Sequence, residues 1–569
     1  MNAQTRDPTQ WFSDLLAVQQ SILRQTGAGG SGTDAPAAPG NLLPWLPMTV
    51  AFVDWQQQVM KQFTEWWTTA IPGWGALPSA AAPDRRFAAD PWQQDPRFDA
   101  VARAYLMHSQ LLRDTLAAAP LDARTKAQWG FVLRQAIDAL SPANALLTNP
   151  EALQTAVESG GASLAQGMRF FVEDFAKGRI SMTDNTAFEV GRNVATTPGS
   201  VVFENELMQL IQYAPSTARV YKRPLLIVPP CINKFYILDL QPDNSFVAHA
   251  VAQGHTVLLV SWRNIGPEQG RLGWDDYLEQ GVMQAIDVAL AISGADRVNT
   301  LGFCVGGTLL ASTLAVMTAK HEDKVASMTL LTTMLDFADT GELGLLLTEQ
   351  SVAARELAIG QGGVQRGREL AQVFAALRAN DLIWPYVISG YLKGKAPPAF
   401  DLLFWNADDS NLPGPMFCWY LRNTYLENKL REPGATVQCG VPVDLGTIKI
   451  PGFLYASRED HIVPWQTVYA STRLLGGDVT FVLGGSGHIA GVINPPAKQK
   501  RNYWVGDVRP DAGDWLTHAR EVPGSWWPEW IAWLKPHAGA MVAAPKTPGN
   551  RRFAAIEAAP GRYVKAKAP

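Results

Sequence analysis

Three residues of this chain, a thiol, an imidazole and a carboxylate, occur in settings from which they can act together. Cys304 lies in Gly302-Phe303-Cys304-Val305-Gly306-Gly307, between an apolar run ending at Leu301 and a helix-compatible apolar run from Thr308 to Ala319. That pattern predicts a sharp strand-to-helix bend that lifts one reactive side chain clear of the backbone, with small flanking residues avoiding a clash. Asp460 and His488 follow in Ser457-Arg458-Glu459-Asp460-His461 and Gly484-Gly485-Ser486-Gly487-His488. A cysteine with its reference pKa of about 8.5 is mostly protonated at neutral pH, so it needs an imidazole to take or hold its proton. A carboxylate on the other ring nitrogen fixes the tautomer and stabilises imidazolium. Exchange of one thioester for another is nearly neutral in free energy. The chemistry therefore suits an acyl group that arrives on coenzyme A and leaves to a hydroxyl, transfer rather than hydrolysis.

The elements that must position these groups are legible around them. Short apolar runs at Pro224 to Val228, Thr256 to Trp262, Val298 to Phe303, Ala326 to Leu331, Ile450 to Ala456 and Val479 to Leu483 alternate with helical segments. This is the pattern of an α/β protein with a mainly parallel sheet. Asp460 and His488 both fall in loops just past the carboxyl ends of predicted strands, where open α/β sheets bind ligands. The order cysteine, acid, histidine matches the α/β-hydrolase fold. Glu459 competes with Asp460 for the acid, and His461 reads as a neighbour. An oxyanion formed on the acyl carbonyl would meet the Val305 N–H at the helix start and a second donor from Pro229-Pro230-Cys231-Ile232-Asn233, assigned to the Ile232 N–H. More than a hundred residues, about 336–449, separate the fourth run from the fifth and read as a cap or lid. Such a cap fits a site that must exclude water.

At 569 residues, with 47% hydrophobic and 18% charged, the chain is long enough for two or three domains. Its formal charge of −4 leaves no basic excess for nucleic acid. Four cysteines make no disulfide framework, and reduced thiols in the cytoplasm are expected. No segment reads as a membrane span or an export signal. Residues 1–195 read as a helical N-terminal domain with flexible linkers at Gly27 to Gly40 and Gly75 to Ala89. Between these linkers Met48, Phe52, Trp55, Val59, Phe63 and Trp66 share one helical face, suited to packing on a domain or twin subunit, or to a hydrophobic surface. Residues 196–569 form the predicted catalytic domain, with a loosely ordered tail at about 537–569 in which Tyr563-Val564 can dock locally. Lys498, Lys500 and Arg501 read as a solvated loop or a contact for coenzyme A phosphates. No metal ligands are expected.

In PPCINKFYILDL (229–240), GFCVGGT (302–308), FDLLFWN (400–406), YASREDHIVPW (455–465) and GGSGHIAGVINPP (484–496) the chain resembles the polyhydroxyalkanoate synthases. The Phe-Cys-Val filling of the bend and the separate helical N-terminus look like their class I, the poly-3-hydroxybutyrate synthases. The resemblance implies polymerisation of short (R)-3-hydroxyacyl-CoA into a polyester, with Cys304 as nucleophile, His488 as base, Asp460 as acid and free coenzyme A as the by-product. It implies no cofactor, since the coenzyme A thioester is the substrate. It also implies Phe400 and Trp405 near the substrate passage or subunit contact, Ala490 beside the histidine, homodimers, attachment to polymer granules in the cytoplasm, and granule-coating partners. The alternatives are a cysteine-dependent α/β-hydrolase acting as esterase or depolymerase, and a noncatalytic granule coat protein.

Overall fold

A computed structural model describes residues 84–568. The aromatic stripe from Met48 to Trp66 and the linker from Gly27 to Gly40 lie outside the described residues. Eleven strands of the described residues form one sheet: β1 (Gly199–Glu204), β2 (Met208–Tyr213), β3 (Leu225–Val228), β4 (Val257–Trp262), β5 (Val298–Phe303), β6 (Val325–Leu331), β7 (Gly452–Ser457), β8 (Val479–Gly484), β9 (Asn502–Val505), β10 (Arg520–Pro523) and β11 (Glu557–Ala558). Their order is β10-β9-β8-β7-β6-β5-β3-β4-β2-β1-β11. The six central strands, β4 to β8 with β3, run parallel, and the flanking ones antiparallel.

The continuous apolar character of the central strands follows from burial of both faces. In β3, Leu226 and Val228 join one core with Leu258, Val260, Leu309 and Leu310. Leu225 and Ile227 join the other with Leu259, Leu301, Phe303 and Trp530. A period of two with no polar face requires cover on each side, which is why these runs read as uninterrupted.

The helical N-terminal part contributes α1 (Pro96–Ala118), α2 (Ala123–Ala139), α3 (Pro150–Glu158) and α4 (Ala162–Lys177), with Asp95, Asp122 and Asn149 capping the first three. Phe87, Trp92, Tyr105 and Ile137 give it a small core of its own. The second linker is thus not flexible at its end, because Arg85–Phe87 form a turn that buries Phe87. These helices grip the insertion between β6 and β7. Arg134 pairs with Glu342, Lys393 with Glu151 at 2.7 Å, and the Tyr391 hydroxyl donates to Asp174 at 2.8 Å. Among the described residues no helix is long and apolar enough to cross a membrane.

The tail corrects the expectation of loose order. Met541–Ala543 pair with Arg219–Tyr221, β11 extends the sheet beyond β1, and Val564 is buried. Backbone pairing needs no apolar run, so an Ala, Pro and Lys-rich composition hides it.

Beneath the paired tail strand lies His255, which is 1% exposed and stacked on Tyr221 at 4.9 Å, with neither ring nitrogen hydrogen-bonded. Burial pushes this imidazole down to about 4. A base with a depressed folded pKa leaves stability complete above the unfolded value of about 6.5. As the pH falls from there to about 4 the unfolded chain takes the proton first, and stability declines by up to about 3 kcal/mol. The variant His255→Phe keeps the stack and cannot ionise. Its denaturant midpoint is expected to change less than that of the unaltered chain between pH 7.5 and 4.5; equal changes would remove His255 as the cause.

Candidate active site

At the end of β5 the backbone of Cys304 takes φ 52° and ψ −128°, a conformation that a residue with a Cβ adopts only when its surroundings enforce it. Three bonds enforce it here. The Cys304 N–H donates to Leu331 at 2.9 Å, its carbonyl accepts from Gly307 N–H at 2.8 Å, and the Thr333 hydroxyl donates to the same carbonyl at 3.2 Å. The small residues are explained by contact: a Cβ on Gly307 would lie 2.0 Å from Thr333 Oγ1, and one on Gly306 would lie 2.3 Å from the Val228 carbonyl oxygen. Helix α5 (Val305–Ala319) starts immediately after the thiol, so the Val305 N–H has no intrahelical partner. Gly306 approaches the carbonyls of Val228 and Pro229, so the end of β3 and the start of the loop that follows it lie against this helix start.

Asp460 and His488 meet as their strand ends predict. The Nδ1 of His488 and the Oδ2 of Asp460 are 2.6 Å apart, and both side chains are buried. The other carboxylate oxygen, Oδ1, accepts the N–H groups of Ile462 at 2.8 Å and Val463 at 2.9 Å, which fixes the carboxylate in place. Of the two neighbouring acids Asp460 is the one that reaches the ring, while Glu459 is exposed. The same imidazole stacks on Phe303 at 5.6 Å and lies within electrostatic reach of Cys304. Burial opposes its charged form, yet the charges of Asp460 and Cys304, with the hydrogen bond to Asp460, raise it to about 10.

The helix that begins with the histidine, α7 once the cap helix α6 (Asp401–Asn406) is counted, spans His488–Val492 and is held from behind. The indole N–H of Trp526 donates to Gly491 at 3.0 Å and that of Trp527 to Val492 at 2.9 Å. Ala490 lies in this helix, two residues after His488. The cap positions are placed apart: Phe400 is 48% exposed, whereas Trp405 is 4% exposed and donates its indole N–H to the Lys234 carbonyl at 2.7 Å.

Three clustered cap residues, two of them within electrostatic reach of the thiol, were not singled out from sequence. Tyr420 and Tyr425 of the cap pack edge to face at 5.6 Å; desolvation pushes both hydroxyls up, and the charge of Cys304 adds to the effect. Phe337 closes the cluster at 5.0 Å from Tyr425. Cys231 is also within electrostatic reach of Cys304, and burial pushes its thiol up, which makes it a poor nucleophile. The aromatic density of Trp384 to Tyr420 is a sequence signal for such a roof, but it does not say which rings face the thiol. Lys498, Lys500 and Arg501 sit on the exposed loop before β9. Among the described residues no group of three or more His, Cys, Asp or Glu could hold a metal.

Comparison with known proteins agrees with this construction. Residues 83–250 match the family described as poly-beta-hydroxybutyrate polymerase (PhaC) N-terminus, and residues 224–495 match the alpha/beta hydrolase fold. The chain is 54% identical over 521 residues to the poly(3-hydroxyalkanoate) polymerase subunit PhaC of Cupriavidus necator, covering 90% of this chain and 88% of that one. It is 43% identical to the PhaC subunit of Rhizobium meliloti, over 85% and 80% of the two chains, and 40% identical to the poly(3-hydroxyalkanoate) polymerase of Methylorubrum extorquens, over 96% of both. A cysteine-bearing α/β-hydrolase core joined to a PhaC N-terminal region, at this identity and coverage, means that the chain belongs to the poly(3-hydroxyalkanoate) polymerase family of acyltransferase-type enzymes.

Proposed function

We propose that this polymerase builds its polyester from short (R)-3-hydroxyacyl-CoA through a covalent thioester on Cys304. The observation that supports this most directly is the His488–Asp460 hydrogen bond within electrostatic reach of the enforced Cys304 bend, beside aromatic cap residues. The Cys304 thiolate attacks the acyl carbonyl, and the Val305 and Ile232 N–H groups receive the developing oxyanion. The bond to the coenzyme A sulfur then breaks, that sulfur takes the proton of the His488 imidazolium, and coenzyme A leaves. Acylation removes the thiolate charge that helped to raise His488, so the ring becomes a better base for the next step. It takes the 3-hydroxyl proton of a second acyl group, whose oxygen attacks the thioester, forms the ester bond and frees Cys304 as thiolate. Asp460 stabilises the imidazolium formed each time.

Water attacking the same thioester would give soluble hydroxy acid, and the Phe337, Tyr420 and Tyr425 roof opposes its entry. Phe400, Trp405 and Ala490 belong to the surroundings of the substrate path in this reading. It also includes homodimers at the surface of cytoplasmic polymer granules with their coating proteins. The exposed apolar face of α4, with Met168, Phe171, Val172 and Phe175, supports association with a hydrophobic surface or partner.

The deciding experiment supplies (R)-3-hydroxybutyryl-CoA and follows both products. Insoluble polyester with free coenzyme A in proportion is expected. Soluble 3-hydroxybutyrate as the sole acyl product would instead support the cysteine-dependent hydrolase.

A further inference from the structure

The last described residues run exposed over buried groups of the loop after β3 and of the cap. Lys234, two residues beyond Ile232, is 2% exposed, and its ammonium donates to the Ala566 carbonyl at 2.8 Å. One residue on, Lys567 pairs with Asp408 at 2.9 Å and lies over the Phe404 ring at 5.4 Å. Asp408 is 3% exposed and lies two residues beyond the cap helix α6; its Oδ2 also accepts the Tyr236 hydroxyl at 3.0 Å, while its Oδ1 has no hydrogen-bond partner. The loop and the cap root touch twice more, through the Trp405 indole on the Lys234 carbonyl and a backbone bridge between Asn233 and Asp409.

We propose that Ala566–Lys567 form a positioning strap, which pins the loop carrying the Ile232 N–H to the root of the cap and so holds the oxyanion site in register. A buried ammonium and a buried carboxylate are costly unless each has a partner, and the tail supplies a partner to both. Burial pushes the Lys234 ammonium down to about 8, against the opposing pull of Asp408. Without the strap, Lys234 loses its acceptor and Asp408 its nearest cation, and both must move toward water. The loop moves with Lys234, and α6 with Asp408. A displacement of about 1 Å at a catalytic donor is enough to slow a reaction about 100-fold. Lys234, Ala566 and Lys567 touch no reacting atom, so their role is positional.

The kinetic consequence rests on the function proposed above, whereas the pinning itself can be read without chemistry. Four full-length or near full-length proteins are compared: the unaltered chain, a chain ending at Lys565, Lys234→Met, and the two changes combined. Rapid-quench release of coenzyme A in the first turnover is expected to slow about 10- to 100-fold in each single variant. The combination should be no slower than the slower single, since both changes break one link. Trypsin cleavage after the exposed Lys395, in the strand-free stretch leading to α6, should accelerate in all three. A first-turnover rate equal to that of the unaltered chain in either single variant overturns the strap, as do losses that multiply. If the unaltered chain releases no coenzyme A, it is the functional reading that fails; unchanged cleavage after Lys395 then overturns the strap on its own. Should the shortened chain not fold, Lys567→Met replaces it and is held to the same outcomes.

Discussion

A Cys304→Ala chain should release coenzyme A at least about 10⁴-fold more slowly than the unaltered protein, a barrier increase of about 5.5 kcal/mol. The side chain removed is the one whose position the fold enforces at φ 52°, and alanine tolerates that bend no worse than cysteine, so folding stability should stay close to unchanged. The other buried thiol nearby cannot replace it, because burial holds Cys231 protonated and it lacks the bend that presents Cys304. Incubation with a saturated acyl-CoA analogue lacking the 3-hydroxyl stops the sequence after loading, since no oxygen is available to attack. Mass spectrometry of peptides should then locate one acyl group per chain on residue 304, and none in Cys304→Ala. An adduct on Cys231, or coenzyme A release that survives the substitution, would defeat the assignment. The noncatalytic coat-protein alternative returns only with full activity in Cys304→Ala.

How far the sequence carried this result depends on what kind of interaction fixed each part. The parallel strands were legible because burial on both faces makes a run such as Leu225–Val228 wholly apolar. The placement of the candidate triad was legible because Cys304, Asp460 and His488 follow strand ends, and the carboxyl ends of a parallel sheet's strands lie along one edge whatever lies between them. The edge strands β9, β10 and β11 were not, being short or mixed in character and held by backbone pairing that any sequence can make. Lys234 was hidden for a related reason. Nothing in PPCINKFYILDL marks this lysine for burial, and the carbonyl that accepts it belongs to residue 566, at a separation no periodicity reports. Tyr420 and Tyr425 were hidden because their approach to the thiol depends on the path of the whole insertion. The composition of the tail misled outright, since order there comes from pairing and from two lysine contacts rather than from an apolar core.

The substitution Asp460→Asn should separate the two halves of the reaction. An asparagine at this position can still accept the N–H groups of Ile462 and Val463 through Oδ1, so the loop geometry survives. What changes is the group at 2.6 Å from His488 Nδ1, which loses its charge and can present N–H groups in place of an acceptor. The imidazolium then loses its principal support, and the pKa of His488 falls from its raised value. Loading requires a thiolate, which is intrinsically nucleophilic even as a minor species, so it should slow only about 10- to 100-fold. Elongation requires His488 to accept a proton from an alcohol, a much weaker acid than a thiol, in the tautomer that Asp460 selects. Loss of an orienting aspartate in such a triad costs about 10⁴-fold, and that larger loss should fall on polymer growth. Rapid-quench measurement would therefore show a slowed but complete burst of coenzyme A, about one per Cys304, followed by almost no further release, with the acyl group still on the protein. Equal slowing of burst and steady state would mean that the carboxylate serves the thiol and the hydroxyl alike, and that its part in the second step is no greater than in the first.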